Sequence, residues 1–156
     1  MKLSESINQN LIEFKLEANE KNEVIDQVIQ LLAENQVLTD PEQYRQDVLA
    51  RESQSTTGIG MGIAIPHAKS SGVKETSFTL VRLAREVEWQ SLDEKPVNYV
   101  IMLAVPDSAK QEFLKLLSQL STLLMEDDFR EGLQQAESVK EIIELFKTEE
   151  EKLCLS

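Results

Sequence analysis

A chain of 156 residues, 41% hydrophobic and 28% charged, fits one soluble globular domain with a core of its own. With 28 acidic against 16 basic residues, its formal charge of −12 repels nucleic acid phosphates and suits a basic protein partner. Cys154 is the only cysteine and His67 the only histidine, which excludes an internal disulfide and the usual zinc ligand sets and leads us to expect a reducing cytoplasm.

In chain order, Ile12, Phe14 and Leu16 alternate with Glu13, Lys15 and Glu17, the period of a strand with one buried face. Asn19 is placed to cap a helix whose Val24, Val28, Leu31 and Leu32 recur at helical spacing. Asp40-Pro41-Glu42-Gln43 starts a second helix: Asp40 caps, Pro41 takes the first helical position, and Gln43 closes a capping box. Tyr44 and Val48 mark its inner face. Phe78 to Leu83 predicts a strand, and Val87 and Trp89 alternating with Glu86 and Glu88 predict another. The apolar run from Tyr99 to Val105, stopped by Pro106-Asp107, predicts a central strand covered on both faces. Ser108 and Gln111 open a helix with Phe113, Leu116, Leu117, Leu120, Leu123 and Leu124 along one side. Ser138 and Glu141 open the last, with Val139, Ile142, Ile143 and Phe146 inward; the acidic residues 148–152 beyond them are expected to fray.

No repeat, linker or low-complexity tract divides the chain, so a single domain over residues 1–156 is expected. Interleaved helices and strands predict the α/β class, a single layered domain with a mixed β-sheet and helices on both faces. No run approaches the roughly 20 apolar residues of a membrane span, and Met1–Ser6 lacks the apolar core of a secretion signal.

The most unusual stretch is Thr57-Gly58-Ile59-Gly60-Met61-Gly62-Ile63-Ala64-Ile65-Pro66-His67. Its glycine spacing is not the dinucleotide fingerprint, it leads into a strand-like segment, and no P-loop occurs anywhere. A different role fits. Glycines let the backbone approach a ligand and aim successive amides at an anion, and Pro66 fixes the chain entering His67. An imidazole held there is partly neutral and nucleophilic near neutral pH; the bland alternative is a tight connection that merely needs glycine. Arg51 continues the inner face of the second helix toward this run. A guanidinium there is suited to a phosphoryl group, while an ordinary ion pair with Asp47 four residues earlier is the simpler account on pattern alone.

Arg51-Glu52 followed by Ser55-Thr56-Thr57-Gly58-Ile59-Gly60-Met61-Gly62-Ile63-Ala64-Ile65-Pro66-His67 resembles the signature of the fructose/mannitol-type IIA component of the bacterial sugar phosphotransferase system. The resemblance continues through Ser71-Gly72-Val73-Lys74, Val87-Glu88-Trp89-Gln90-Ser91-Leu92-Asp93 and Pro96-Val97, and covers roughly residues 9 to 147. It implies a cytoplasmic phosphocarrier without a cofactor. The motif histidine, here His67, accepts a phosphoryl group on Nε2 from the phosphohistidine of HPr. It then passes the group to a cysteine of IIB, which phosphorylates sugar entering through the membrane component IIC. Arg51 maps onto the arginine that stabilises the phosphoryl group. Many relatives carry a second histidine in an N-E-H-L-like segment; here Gln111-Glu112-Phe113-Leu114 puts Phe113 in its place.

Two other readings compete. A nitrogen-related regulatory relative keeps the phosphohistidine but acts by binding proteins; segments 73–74 and 87–93 resemble the fructose branch more. A sensor domain detached from a transcriptional regulator is disfavoured by a chain that starts at Met1 with no DNA-binding segment.

Overall fold

The computed structural model describes residues 3–153; Met1, Lys2 and Cys154 lie outside the described residues. The fold is mixed α/β. The chain divides into two compact units, one spanning Asn10–Ala109 and the other built from the described parts of the two chain ends, up to Gln9 and from Lys110 onward.

In the larger unit, β1 (Ile12–Leu16) has the expected alternation, with Ile12, Phe14 and Leu16 half-buried and Glu13 and Lys15 exposed. Helix α1 (Lys21–Glu34) buries Val24, Ile25, Val28, Ile29 and Leu32. Its cap position falls on Glu20, one residue later than expected, and no side chain caps it. Instead the Glu23 carboxylate reaches back to accept from the amide of Asn19, the residue before the cap. Helix α2 (Pro41–Gln54) begins as the sequence predicts, with the Gln43 amide donating to Asp40 Oδ1 at 3.1 Å. The Gln43 side chain does not close the box. It donates to Asp47, while the Asp40 amide is taken by the Gly72 carbonyl at 3.1 Å.

Six further strands follow α2 in the chain before one last: β2 (Gly58–Gly60), β3 (Ile63–Ala64), β4 (His67–Ser70), β5 (Ser77–Phe78), β6 (Leu80–Val87), β7 (Val97–Val100) and, finally, β8 (Leu103–Pro106). A five-stranded mixed sheet has the order β1-β6-β7-β3-β2, and a three-stranded one the order β4-β8-β5. The parallel pair β3/β7 leaves the first sheet and re-forms as the parallel pair β4/β8 in the second. At the crossing the Ile101 amide donates to the Ala64 carbonyl at 2.9 Å and the Leu103 amide to the Pro66 carbonyl at 3.0 Å.

This crossing divides the single strand expected over Tyr99–Val105. Ile101 and Met102 are fully buried yet lie in neither strand. Thr79 divides the strand expected at 78–83 in the same way: its amide donates to the Met102 carbonyl at 2.9 Å and its hydroxyl accepts the Met102 amide at 3.0 Å. Burial without a sheet partner leaves backbone groups unsatisfied unless something else meets them, and Thr79 does so. Trp89 is also outside any strand, since β6 ends at Val87 and the buried indole packs from the connection that follows.

The smaller unit holds a 3-10 turn (Leu3–Ser6), α3 (Lys110–Leu124), α4 (Asp127–Gln135) and α5 (Val139–Leu153). The Leu stripe of α3 is buried at Leu116, Leu120, Leu123 and Leu124. Phe129 of α4 meets Phe146 of α5 edge to face, with centroids 5.0 Å apart. The acidic end of α5 does not fray. Glu150 is buried and accepts the Ser4 amide at 2.7 Å and the Ser4 hydroxyl at 2.9 Å, and Glu149 pairs with Lys152 at 3.2 Å. Ordering a charged helical end becomes favourable once its carboxylates have donors. Among the described residues no helix is long and apolar enough to cross a membrane.

Tyr44 ties α2 to the second sheet through its hydroxyl, which donates to the Leu103 carbonyl at 2.7 Å from a fully buried position. Tyr44→Phe keeps the ring and removes the donor, so we expect a stability loss of about 1 kcal/mol in urea denaturation, with the slope unchanged.

Candidate functional site

Pro66 has no amide hydrogen, and its position between β3 and β4 is where the chain changes sheets. The residue before it is held by its own backbone: the Ile65 amide donates to the Thr57 carbonyl at 3.0 Å. The Ile65 carbonyl in turn lies 2.8 Å from His67 Nδ1. A carbonyl oxygen only accepts, so Nδ1 carries the proton and the basic lone pair belongs to Nε2. His67 opens β4 opposite Leu103 and is half-buried.

The glycine run makes the turn that leads to this strand. Gly60, Met61 and Gly62 all have positive φ, at 100°, 58° and 79°, and together connect the antiparallel β2 and β3. Glycine reaches that region without a Cβ clash; Met61 is held there by its amide, which donates to Asp93 Oδ2 at 2.9 Å. The Gly58 amide donates to Thr56 Oγ1 at 3.1 Å. These two amides therefore already have acceptors within the protein.

Arg51 stands in the last turn of α2, which packs against β4. The ion pair with Asp47 is not what holds it. Its Nη1 donates to the Ser55 carbonyl at 2.9 Å and the Ser55 hydroxyl at 3.3 Å, closing the C-terminal end of its helix. Both acceptors are neutral, so the guanidinium charge is not cancelled by a carboxylate there. Its field reaches His67.

Burial is the chief influence on the imidazole and pushes its pKa below the ordinary 6.5; the bond to Ile65 opposes, the Arg51 charge lowers it further, and the Glu52 charge opposes again. The net direction is down, so His67 is neutral at physiological pH. The structure thus brings His67 and Arg51 into one electrostatic neighbourhood. Phe113 is a half-buried residue of α3, in the other compact unit.

Residues to which the sequence pattern assigned no role also converge here. Glu52, next to Arg51, has a side chain only 6% exposed and pairs with Lys21 of α1 at 2.7 Å. It accepts both the amide and the hydroxyl of Thr57. The buried Trp89 indole donates to the same hydroxyl at 3.3 Å, and the Lys21 ammonium lies 5.3 Å from its ring centroid. The adjacency of Arg51-Glu52 to the Thr-rich entry of the glycine run is the sequence signal that marks them.

Comparison with known proteins places the chain among components of sugar phosphotransferase systems. Residues 5–149 match the family described as phosphoenolpyruvate-dependent sugar phosphotransferase system, EIIA 2. The chain belongs to that family. It is 41% identical over 145 residues to the fructose-specific EIIABC component of Bacillus subtilis, covering 93% of this chain but only 23% of that protein. It is 30% identical over 133 residues to the fructose-like EIIA component of Escherichia coli, covering 85% of this chain and 90% of that one. Among solved structures, the nitrogen regulatory protein IIA-Ntr of Neisseria meningitidis superposes with a TM-score of 0.80 at 27% identity, covering 92% of this chain and 98% of that one. The mannitol IIA of Escherichia coli shares the fold, with a TM-score of 0.76 at 24% identity over 90% and 98% of the two chains.

Because the folded imidazole is harder to protonate than the unfolded one, its contribution to stability is intact above pH about 6.5 and is lost as pH falls from there through the folded pKa. We expect the single imidazole to titrate below 6.5 in the folded chain, and stability in urea to decline as pH falls across that window. A midpoint above 6.5 would contradict the dominance of burial.

Proposed function

We propose that this chain is a phosphocarrier of a fructose-type sugar phosphotransferase system, acting in the cytoplasm with His67 as its phosphoryl acceptor. The observation that carries the reading is the bond from His67 Nδ1 to the Ile65 carbonyl at 2.8 Å, which leaves Nε2 as the nucleophile. In the first transfer a Nε2–P bond forms as the N–P bond of the donor, the phosphohistidine of HPr, breaks; the bonding pair stays on the donor's imidazole. In the second, the cysteine thiolate of a IIB protein attacks phosphorus and the Nε2–P pair returns to His67. The Nδ1 proton stays on Ile65's carbonyl side throughout, so the ring needs no proton donor or base.

Arg51 stabilises the charge on the transferring oxygens. Its resting bonds use Nη1, and Nη2 and Nε belong to the fork that a phosphoryl group takes in bidentate fashion. Catalysis then rests on position and charge. The Bacillus subtilis relative supports fructose as the sugar class, which the membrane component IIC would recognise. The likeness to IIA-Ntr keeps a regulatory role as the second reading, favoured by fold likeness where the fructose reading is favoured by higher sequence identity.

His67→Ala is expected to abolish acid-labile, base-stable labelling from phospho-HPr while the chain still folds; undiminished labelling would remove the acceptor. Arg51→Ala is expected to slow transfer by one to three orders of magnitude, the loss of about 2–4 kcal/mol of transition-state stabilisation. Arg51→Lys should recover part of it, because an ammonium supplies the charge without the fork.

The net charge of −12 generates a further expectation about the encounter with the basic donor. The bimolecular rate should fall steeply with added salt, since exposed charges are screened beyond roughly 10 Å at 0.1 M, while the first-order step changes little. Stopped-flow transfer across a salt series measures both, and a flat bimolecular rate would assign the charge to solubility alone.

A further inference from the structure

Glu52 and Thr57 have no part in the transfer written above, yet they are more fully bonded than Arg51. Both Glu52 carboxylate oxygens are used: Oε2 takes Lys21 Nζ at 2.7 Å and the Thr57 amide at 3.3 Å, and Oε1 takes the Thr57 hydroxyl. A carboxylate with 6% of its side chain exposed is costly to keep charged without such partners. The Thr57 hydroxyl also accepts from the Trp89 indole at 3.3 Å. Thr57 is therefore fixed by its side chain, through two groups from two different segments of the larger unit, Glu52 and Trp89.

The Thr57 backbone carries that restraint onward. Its carbonyl holds the Ile65 amide at 3.0 Å, and the carbonyl of Ile65 is the group that meets His67 Nδ1 at 2.8 Å. The Ile65 carbonyl lies in the peptide plane after the one that carries its pinned amide, so only the two backbone torsions of Ile65 separate the anchored group from the one that meets His67. Pro66 restricts the far side of the same residue. The hydrogen-bonded path thus runs without a gap from Lys21 through Glu52, Thr57 and Ile65 to the imidazole.

We propose that Glu52 and Thr57 are positioning residues that hold the Ile65 carbonyl against His67 Nδ1 and thereby keep Nε2 the unprotonated, nucleophilic nitrogen. The proposal rests on His67 as phosphoryl acceptor for its consequence, but its geometry is tested without any transfer. The alternative is that the Glu52–Thr57 contacts only anchor the start of the glycine run. The two differ in what happens to the ring. If the path orients the imidazole, cutting it leaves a folded protein whose ring populates both tautomers; if it only anchors, the tautomer is untouched.

The chain's single histidine gives one set of imidazole nitrogen signals, so a long-range proton–nitrogen NMR spectrum of the uniformly labelled, unphosphorylated chain reads the tautomer directly. The native chain is expected to show a proton on Nδ1. Thr57→Val, which keeps the shape and loses the hydroxyl, and Glu52→Gln, which keeps the shape and loses the charge, should each show a mixture of tautomers. In both, transfer from phospho-HPr should slow by about tenfold to a hundredfold, the penalty of a misdirected nucleophile. Thr57→Ser, which restores the hydroxyl, should restore the native spectrum and rate. An unchanged Nδ1–H tautomer in folded Thr57→Val or Glu52→Gln overturns the proposal; should Thr57→Val fail to fold, Glu52→Gln decides it. A native chain that takes no label, with tautomers that shift as expected, would reject the phosphocarrier reading and leave the positioning path standing.

Discussion

Two stretches of backbone leave one sheet and enter another side by side, and the bonds they exchange at the crossing determine where the imidazole sits. Ile63–His67 and Tyr99–Leu103 remain parallel throughout, with Ala64 and Pro66 accepting from Ile101 and Leu103. The crossing is dry: Ile101 and Met102 are fully buried, as is Thr79, whose amide and hydroxyl satisfy both polar groups of Met102. A proline is tolerated at Pro66 because no ladder partner needs its missing amide. His67 therefore follows a backbone held at the crossing, and its ring folds back onto the Ile65 carbonyl two residues earlier.

The charges around the ring are arranged in opposition. The Glu52 side chain is only 6% exposed, with its charge paired to Lys21 and its lone pairs taken by Thr57. Arg51 is tied to Ser55 through neutral acceptors, so its positive charge remains available. Adjacent residues of one helical turn thus receive opposite treatment, one paired with an opposite charge and one not. Desolvation and the uncompensated guanidinium together outweigh the Ile65 carbonyl and the Glu52 carboxylate, and the imidazole stays neutral. A helix ion pair between Asp47 and Arg51 would be worth only a few tenths of a kcal/mol and would spend the charge that the site uses. Asp47 is instead engaged by the Gln43 amide.

Helices α1, α2, α3 and α5 are legible in the sequence, and the candidate site residues stand out there, because each depends on near neighbours. Asp40, Pro41 and the spacing of Tyr44 and Val48 specify α2, and the proline and histidine announce the site. What is hidden depends on distant partners. A buried strand and a buried crossing between sheets have the same apolar composition, so the run from Tyr99 to Val105 does not disclose its break at Ile101 and Met102. The pattern gives Glu52 no contacts, and only Lys21 and Thr57, from other segments, account for its poorly exposed carboxylate. Glu149 and Glu150 look like a fraying tail until Ser4 and Lys152 are seen to supply their donors. Short α4 has no long stripe to betray it; it is held by Phe129 against Phe146.

A carrier must give up what it accepts, and the partner chosen for Nδ1 bears on that. In hydrolytic triads a carboxylate sits behind the imidazole and stabilises the cation formed when the ring gains a proton. Here the partner is a neutral carbonyl, which fixes the tautomer as firmly but adds no full negative charge. In the proposed transfer the phosphorylated ring keeps its Nδ1 proton and carries positive charge, and a carboxylate in contact with Nδ1 would stabilise that state and slow departure toward the thiolate. A carbonyl stabilises it less, and the nearby Arg51 charge disfavours a cationic ring further while it attracts the phosphoryl oxygens. In the proposed transfer the same two groups would favour arrival of the phosphoryl group without making it a resting place, and a ring that keeps its Nδ1 proton would exchange it between nitrogen and sulfur with no base to move a proton.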